Sequence, residues 1–318
     1  MKIRILSDVH YDDGLNGNGI FDEIYGDKFK SADINLLAGD IAVTLEKTEN
    51  FLNKYMPNQT VYMIGGNHVV YTAEHLTLDQ ILDKYKYKFP LTSVFYHFLE
   101  NTWAFIPGTN NNIAIIGSIF YTNYEYCDYT LKEYNERQKA FDTWLEAYGL
   151  HTKKEPEAKE LTKEMIIQEN MLTAFNEMND FKWGYYTLTR HLSPEDYLSL
   201  NKKAKRAVLR CYKEIMSINK DCKVILMTHH ALSPKCIDQK YRGKPLNASF
   251  VSDLEKWITN KMPNVRLVVS GHVHNRFDFT FGKNKVRYIC NPVGYIKYNE
   301  HTKDNPFNPN LIIDTEDL

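Results

Sequence analysis

The chain has 318 residues, with 39 lysines and arginines against 40 aspartates and glutamates and a formal net charge of −1. That length can bury a large core, as one elaborated domain or a domain with an inserted cap. The near-neutral balance argues against a protein held to nucleic acid by global charge alone.

From Met1 to about Ser118, short apolar runs alternate with helical patterns. Ile3–Leu6 and Ile34–Leu37 read as strands, Leu45–Tyr55 as a helix, Val61–Ile64 as a strand and Leu76–Tyr87 as a helix. Val94–Phe98, Trp103–Ile106 and Ile113–Gly117 follow as strands, with Asn110-Asn111-Asn112 as a turn. From Phe120 to about Asn219 strand signals vanish, and helices are expected over Leu131–Tyr148, Leu161–Met178 and Pro194–Ile218. Ser193 caps the last, with Pro194 at its first position. The charged stretch Lys153-Lys154-Glu155-Pro156-Glu157 reads as a solvated linker. The expected organisation is a core of residues 1–119 and 220–318 with a helical cap, 120–219, over the site. Alternation resumes at Lys223 with strands Val224–Met227 and Val265–Val269. Closing strands Arg276–Phe281 and Lys285–Cys290 flank a turn at Gly282-Lys283-Asn284, and an extended tail ends in the strand Leu311-Ile312-Ile313.

The five cysteines fall into no C-x-x-C pattern and read as free thiols of a reducing compartment. The first strand begins at Lys2, leaving no room for a signal peptide, and no apolar run approaches membrane-spanning length. A soluble, cytoplasmic protein without a membrane partner is expected.

Five polar clusters each follow one of the apolar runs: Asp8-Val9-His10, Gly39-Asp40, Gly66-Asn67-His68, Thr228-His229-His230 and Gly271-His272-Val273-His274. Side chains at the carboxyl ends of parallel strands converge on one edge of a sheet, so residues far apart in the chain can meet. The clusters together read as a two-metal hydrolytic site. Asp and His with one Asn form a mixed oxygen and nitrogen set that suits Mn, Fe, Zn or Ni more than Ca or Mg alone. One carboxylate has two oxygens and can hold two cations about 3.5–4 Å apart.

In order, these blocks resemble the D-x-H, G-D, G-N-H, H and G-H-x-H pattern of the calcineurin-like metallophosphoesterases, across positions 8 to 274. The stretches Met178–Phe181 and Tyr241–Asn247 also resemble an uncharacterised bacterial and phage branch of that family. The resemblance implies an α/β fold, a four-layer α/β/β/α sandwich with two mixed sheets. It implies that Asp8, His10 and His274 hold one divalent transition-metal ion, that Asn67, His229 and His272 hold a second, and that Asp40 bridges them. Manganese ranks first, with iron, zinc and nickel as alternatives. Hydroxide shared by the ions would attack phosphorus in line with the leaving group, and His68 would be the general acid.

Of the adjacent pair, strand alternation sends His229 and His230 opposite ways, and the family's habit makes His229 the ligand. His230 then orients through a backbone carbonyl. Protein serine/threonine phosphatases carry G-D-x-V-D-R-G where this chain has Gly39-Asp40-Ile41-Ala42-Val43-Thr44. That departure counts against membership of their group. Val69 stands where many relatives have an acidic residue, so the group that orients His68 must come from elsewhere. Arg242, Asn247 and His230 are expected to bind substrate, the arginine fork suiting two phosphate oxygens, with Arg190 and Tyr185 as weaker candidates. Tyr121, Tyr124, Tyr126, Tyr129 and Tyr134 read as cap packing rather than base-stacking groups, and Lys202–Arg206 as a solvated helix face.

The expected function is hydrolysis of a phosphoester, a small molecule or nucleotide, by a small-molecule phosphatase. The alternative is a phosphodiesterase or nuclease acting on cyclic nucleotides or nucleic acid, with nucleic acid not favoured. A non-catalytic scaffold ranks last, because no ligand and no acid histidine is missing.

Overall fold

A computed structural model describes residues 1–12, 14–17, 19–29, 32–71, 76–92, 94–150, 156–300 and 306–318. The linker expected at Lys153–Glu157 lies outside these except for its last two residues.

Two sheets form the centre. In the first, β1 (Lys2–Leu6), β2 (Ile34–Leu37), β3 (Thr60–Met63) and β4 (Tyr96–Phe98) run parallel, and β13 (Ile312–Asp314) joins β1 antiparallel. In the second, β6 (Ile113–Ser118), β9 (Lys223–Thr228), β10 (Val265–Ser270) and β12 (Val286–Cys290) run parallel. Antiparallel edges close that sheet, β5 (Thr102–Phe105) on β6 and β11 (Phe277–Phe281) on β12.

Alternate residues of these strands face opposite ways, and both faces are apolar, as strands covered on two sides require. Ile3, Ile5, Ile34 and Leu36 meet Ile115, Ile225, Met227, Leu267 and Val269 in a buried layer between the sheets. On the outer face of the first sheet, Leu37, Val61 and Met63 pack with Phe51 and Leu52 of α2 (Leu45–Tyr55) and Ile81, Leu82, Tyr85 and Phe89 of α3 (Leu78–Thr92). On the outer face of the second, Ala114, Ile116, Val224 and Leu226 pack with Val208, Cys211 and Ile215 of α7 (Pro194–Ile218) and Ile258 of α8 (Glu255–Lys261). The result is the expected four layers, helix, sheet, sheet, helix.

Local signals set the helix starts. Thr44 accepts from the Lys47 backbone to cap α2, and Ser193 forms a capping box with Asp196 ahead of Pro194 in α7. Residues 120–219 also hold α4 (Leu131–Ala147), α5 (Lys163–Glu177) and α6 (Asp180–Trp183). One expectation is corrected: strands do occur there. Tyr185–Thr187 (β7) pairs antiparallel with Arg190–His191 (β8), a hairpin too short for period-2 alternation to register. The short α1 (Ile20–Tyr25) was likewise not foreseen. All five cysteines are free thiols, and no described helix is long and apolar enough to cross a membrane.

Candidate active site

Each polar cluster lies just past the carboxyl end of a parallel strand: Asp8 and His10 after β1, Asp40 after β2, Asn67 and His68 after β3, His229 after β9, His272 and His274 after β10. Backbone bonds tie these loops together. Asp8 N donates to Gly39 O, His10 N to Asp40 O and Gly271 N to His229 O, each at 3.0 Å. Asp8, His10, Asp40, His272 and His274 all have positive φ, between 45° and 70°. Such a backbone costs free energy in a residue with a Cβ and persists only where surroundings enforce it. The neighbouring glycines are required by space. A Cβ on Gly66 would fall on the Asp40 carboxylate, and one on Gly271 would lie 2.6 Å from Asp8 Oδ2 and 2.9 Å from Ala38 O.

Three overlapping groups result: Asp8, His10 and His274; His10, Asp40 and His68; Asp40, His229 and His272. Asp40 is common to the last two. His274 Nε2 lies 3.5 Å from Asp8 Oδ1 and 3.1 Å from His10 Nε2. His229 Nε2 lies 3.2 Å from Asp40 Oδ2 and 2.9 Å from Asn67 Oδ1.

The donor set fits a pair of divalent cations. His229 Nδ1 is held by the Ala38 carbonyl at 2.9 Å and His274 Nδ1 by Glu300 Oε2 at 2.7 Å. Each imidazole is thus anchored at one nitrogen while the other faces the centre, as metal-binding histidines are. His272 Nε2 is buried without a hydrogen-bond partner among the described residues, a costly state for a ring nitrogen. Nitrogen and oxygen donors of this kind suit transition cations.

The electrostatics agree. Burial opposes charge on His229, yet the Asp40 carboxylate beside it raises its pKa to about 9. Burial is likewise overcome at His274, where Asp8 and Glu300 raise it to about 10. Burial lowers His10 and His272, and neighbouring imidazoles add to the effect, chiefly His68 for the first and His230 for the second. Asp40 is held well below the usual carboxylate range, against burial, by His229 and His68. The three carboxylates, Asp8, Asp40 and Glu300, draw positive charge into a buried volume, the demand that a bound cation meets.

Around this centre lie residues the sequence reading did not assign. Tyr295 Oη is 3.1 Å from His68 Nε2, and its ring lies tilted at 4.5 Å from that of His10 and edge-on at 4.6 Å from that of His274. The Tyr71 ring lies 4.3 Å from His68. Asn67 Nδ2 and the Tyr71 hydroxyl both donate to Asp180 Oδ1, at 2.7 and 3.0 Å. Tyr295 and Glu300 follow β12, a sixth parallel strand end, which is the signal that points to them. Asp180 carries no such signal, coming from a four-residue helix between longer ones.

A cavity of about 670 Å³ opens onto Asp40, Asn67, His68, His272, His274 and Tyr295. Its other walls come from the end of α5 with Met178 and Asn179, and from the loop carrying Ile237, Lys240, Tyr241, Lys244, Leu246 and Phe250. Asn247 lines it too, buried, with its Nδ2 donating to Tyr241 O at 2.7 Å. Arg242 is exposed and is not among the lining residues, whereas its neighbours Lys240 and Lys244 are. His230 is buried behind the centre, its ring 4.2 Å from that of His272, with burial lowering it to about 3 and its carbonyl accepting from Thr228. Arg190 is engaged by Asp196 through two bonds of 2.7 and 2.9 Å, and Tyr185 sits on His191. Tyr121, Tyr124 and Tyr129 are buried and pack inside the protein.

A family model described as calcineurin-like phosphoesterase matches residues 1–276. Among solved structures, a phosphopantetheinyl hydrolase from Mycobacterium tuberculosis is 16% identical with a TM-score of 0.62, over 97% of this chain and 94% of that one. A candidate 5′-nucleotidase from Staphylococcus aureus, in complex with α-ketoglutarate, is 10% identical with a TM-score of 0.45, over 91% of this chain and 48% of that one. At these identities the likeness extends to the fold alone. No protein of curated function matches the sequence significantly.

Proposed function

The chain belongs to the calcineurin-like phosphoesterases, hydrolases of phosphoester bonds, and from that premise we propose that it is a two-metal phosphatase of small molecules. The observation that carries this reading is the cavity of about 670 Å³ lined by Asp40, Asn67, His68, His272 and His274 of the donor cluster. That volume is in the range of small-molecule sites, roughly 300–1,000 Å³.

In this reading Asp8, His10 and His274 would hold one cation, Asn67, His229 and His272 would hold another, and Asp40 would serve both. When bound, the ions supply Lewis acidity, lowering the pKa of water and neutralising charge on the phosphoryl oxygens. His68 delivers a proton to the leaving oxygen, with Tyr295 fixing its Nε2 and Tyr71 supporting the ring face. Within block 120–219 the end of α5 and Met178–Asn179 wall the cavity and act as the cap, while α7 packs on the second sheet as its outer layer. Lys244, rather than Arg242, meets a negatively charged part of the substrate away from the reacting phosphate. Ile237, Leu246 and Phe250 receive its apolar portion.

The test is a panel of phosphomonoesters, phosphodiesters, cyclic nucleotides and single-stranded DNA, supplied with Mn, Ni and Mg in turn. A phosphopantetheinyl ester belongs in it among the diesters, given the name of the Mycobacterium tuberculosis protein. Small monoesters should be turned over fastest, and faster with Mn or Ni than with Mg. A preference for diesters or DNA would replace this reading by that of a phosphodiesterase or nuclease.

A further inference from the structure

We infer that Asp180 is a positioning residue for Asn67, so that the inserted block helps to build the cation site that it covers. The inference rests on Asn67 being a ligand. An amide side chain has two ends of nearly one shape and opposite hydrogen-bonding character. In Asn67 the Nδ2 end donates to Asp180 Oδ1 at 2.7 Å, while the Oδ1 end lies 2.9 Å from His229 Nε2. Only the oxygen end has a lone pair to offer a cation.

The Tyr71 hydroxyl donates to the same Asp180 oxygen at 3.0 Å. A rotated Asn67 would set its own oxygen against that carboxylate and lose a bond. Asp180 and Asn67 are 0% and 2% exposed, so bulk water is not at hand to replace the partner. The carboxylate is therefore what keeps the amide oxygen turned toward His229 and Asp40. Its second oxygen is buried without a hydrogen-bond partner among the described residues, so local satisfaction alone does not explain the group. Partners that orient a ligand in this way typically govern metal affinity.

Calorimetric titration of the full chain with Mn²⁺ tests the inference without reference to any substrate. Asp180→Ala should weaken one of two binding events by about 10–100-fold and leave the other unchanged. In the Asn67→Ala background the same change should add nothing, since it acts through that side chain. Asp180→Asn keeps an acceptor oxygen in place and should recover part of the loss. If Asp180→Ala does not fold, Asp180→Asn carries the same cycle: a loss that vanishes in the Asn67→Ala background upholds the inference. No loss, or a loss that adds to that of Asn67→Ala, overturns it and leaves Asp180 a purely structural residue. Two normal binding events in Asn67→Ala alone would instead remove Asn67 as a ligand, so the two failures are distinguishable.

Discussion

The hydroxyl of Tyr295 stands 3.1 Å from Nε2 of His68, 227 residues earlier in the chain. No carboxylate lies as near that nitrogen among the described residues, the Asp40 oxygen being 4.0 Å away. A phenol therefore partners the histidine in a chain where Val69, not an acidic residue, follows it. Tyr295→Phe keeps the ring against His10 and His274 and removes only the hydroxyl. We expect kcat to fall by about 10-fold or more on esters with poor leaving groups, with KM little changed. A change confined to KM would make Tyr295 a substrate-binding group instead.

Asp40 and His68 should separate metal binding from proton transfer. Asp40→Ala is expected to lose both ions and all activity. His68→Ala should keep two ions by elemental analysis and lose about 10²–10⁴-fold in turnover on alkyl phosphates. On a nitrophenyl ester, whose leaving group departs without a proton, its loss should be smaller. Equal losses on both ester types would end the acid role.

Gly66→Ala tests the crowding behind the bridge. A methyl there would fall on the Asp40 carboxylate, and backbone lies too close for it to swing aside. The variant should bind Mn²⁺ poorly and unfold more easily, by about 1–3 kcal/mol for an overpacked site. Wild-type melting together with two bound ions would show that the loop has slack.

Glu100, which is not one of the donor residues, makes a pH-dependent contribution to stability. It accepts from Ile119 N at 2.8 Å and Asn101 Nδ2 at 2.7 Å, and burial raises its pKa to about 7. The folded form thus holds the proton more tightly than the unfolded chain does. The stabilisation is full below the unfolded value and is lost as pH rises through about 7, on the order of 3 kcal/mol at most. Glu100→Gln has a fixed cost but cannot titrate. The melting temperature of the variant relative to wild type should therefore rise between pH 5 and pH 8. Parallel profiles would mean that Glu100 does not titrate in this range.

Much of this protein is legible in its sequence because the signals are local. Apolar runs mark the strands, and Ser193-Pro194 marks the start of a helix that runs to Ile218 as periodicity indicated. The donor clusters are legible because each sits one turn beyond such a run. Asp180 escapes that logic, since what matters in it is which distant side chain it touches. The same holds for Arg242, whose charge fitted phosphate while its neighbours Lys240 and Lys244 face the cavity. The hairpin Tyr185–His191 is too brief to impose a period, and its position depends on packing beside α6.

The left-handed backbone at Asp8, His10, Asp40, His272 and His274 has an evolutionary consequence. At such positions glycine or asparagine would relieve the chain, so variants chosen only for resistance to heat should drift toward losing these side chains. Heat tolerance and turnover then pull on the same five codons in opposite directions. Laboratory evolution of this scaffold would need selection for catalysis in every round.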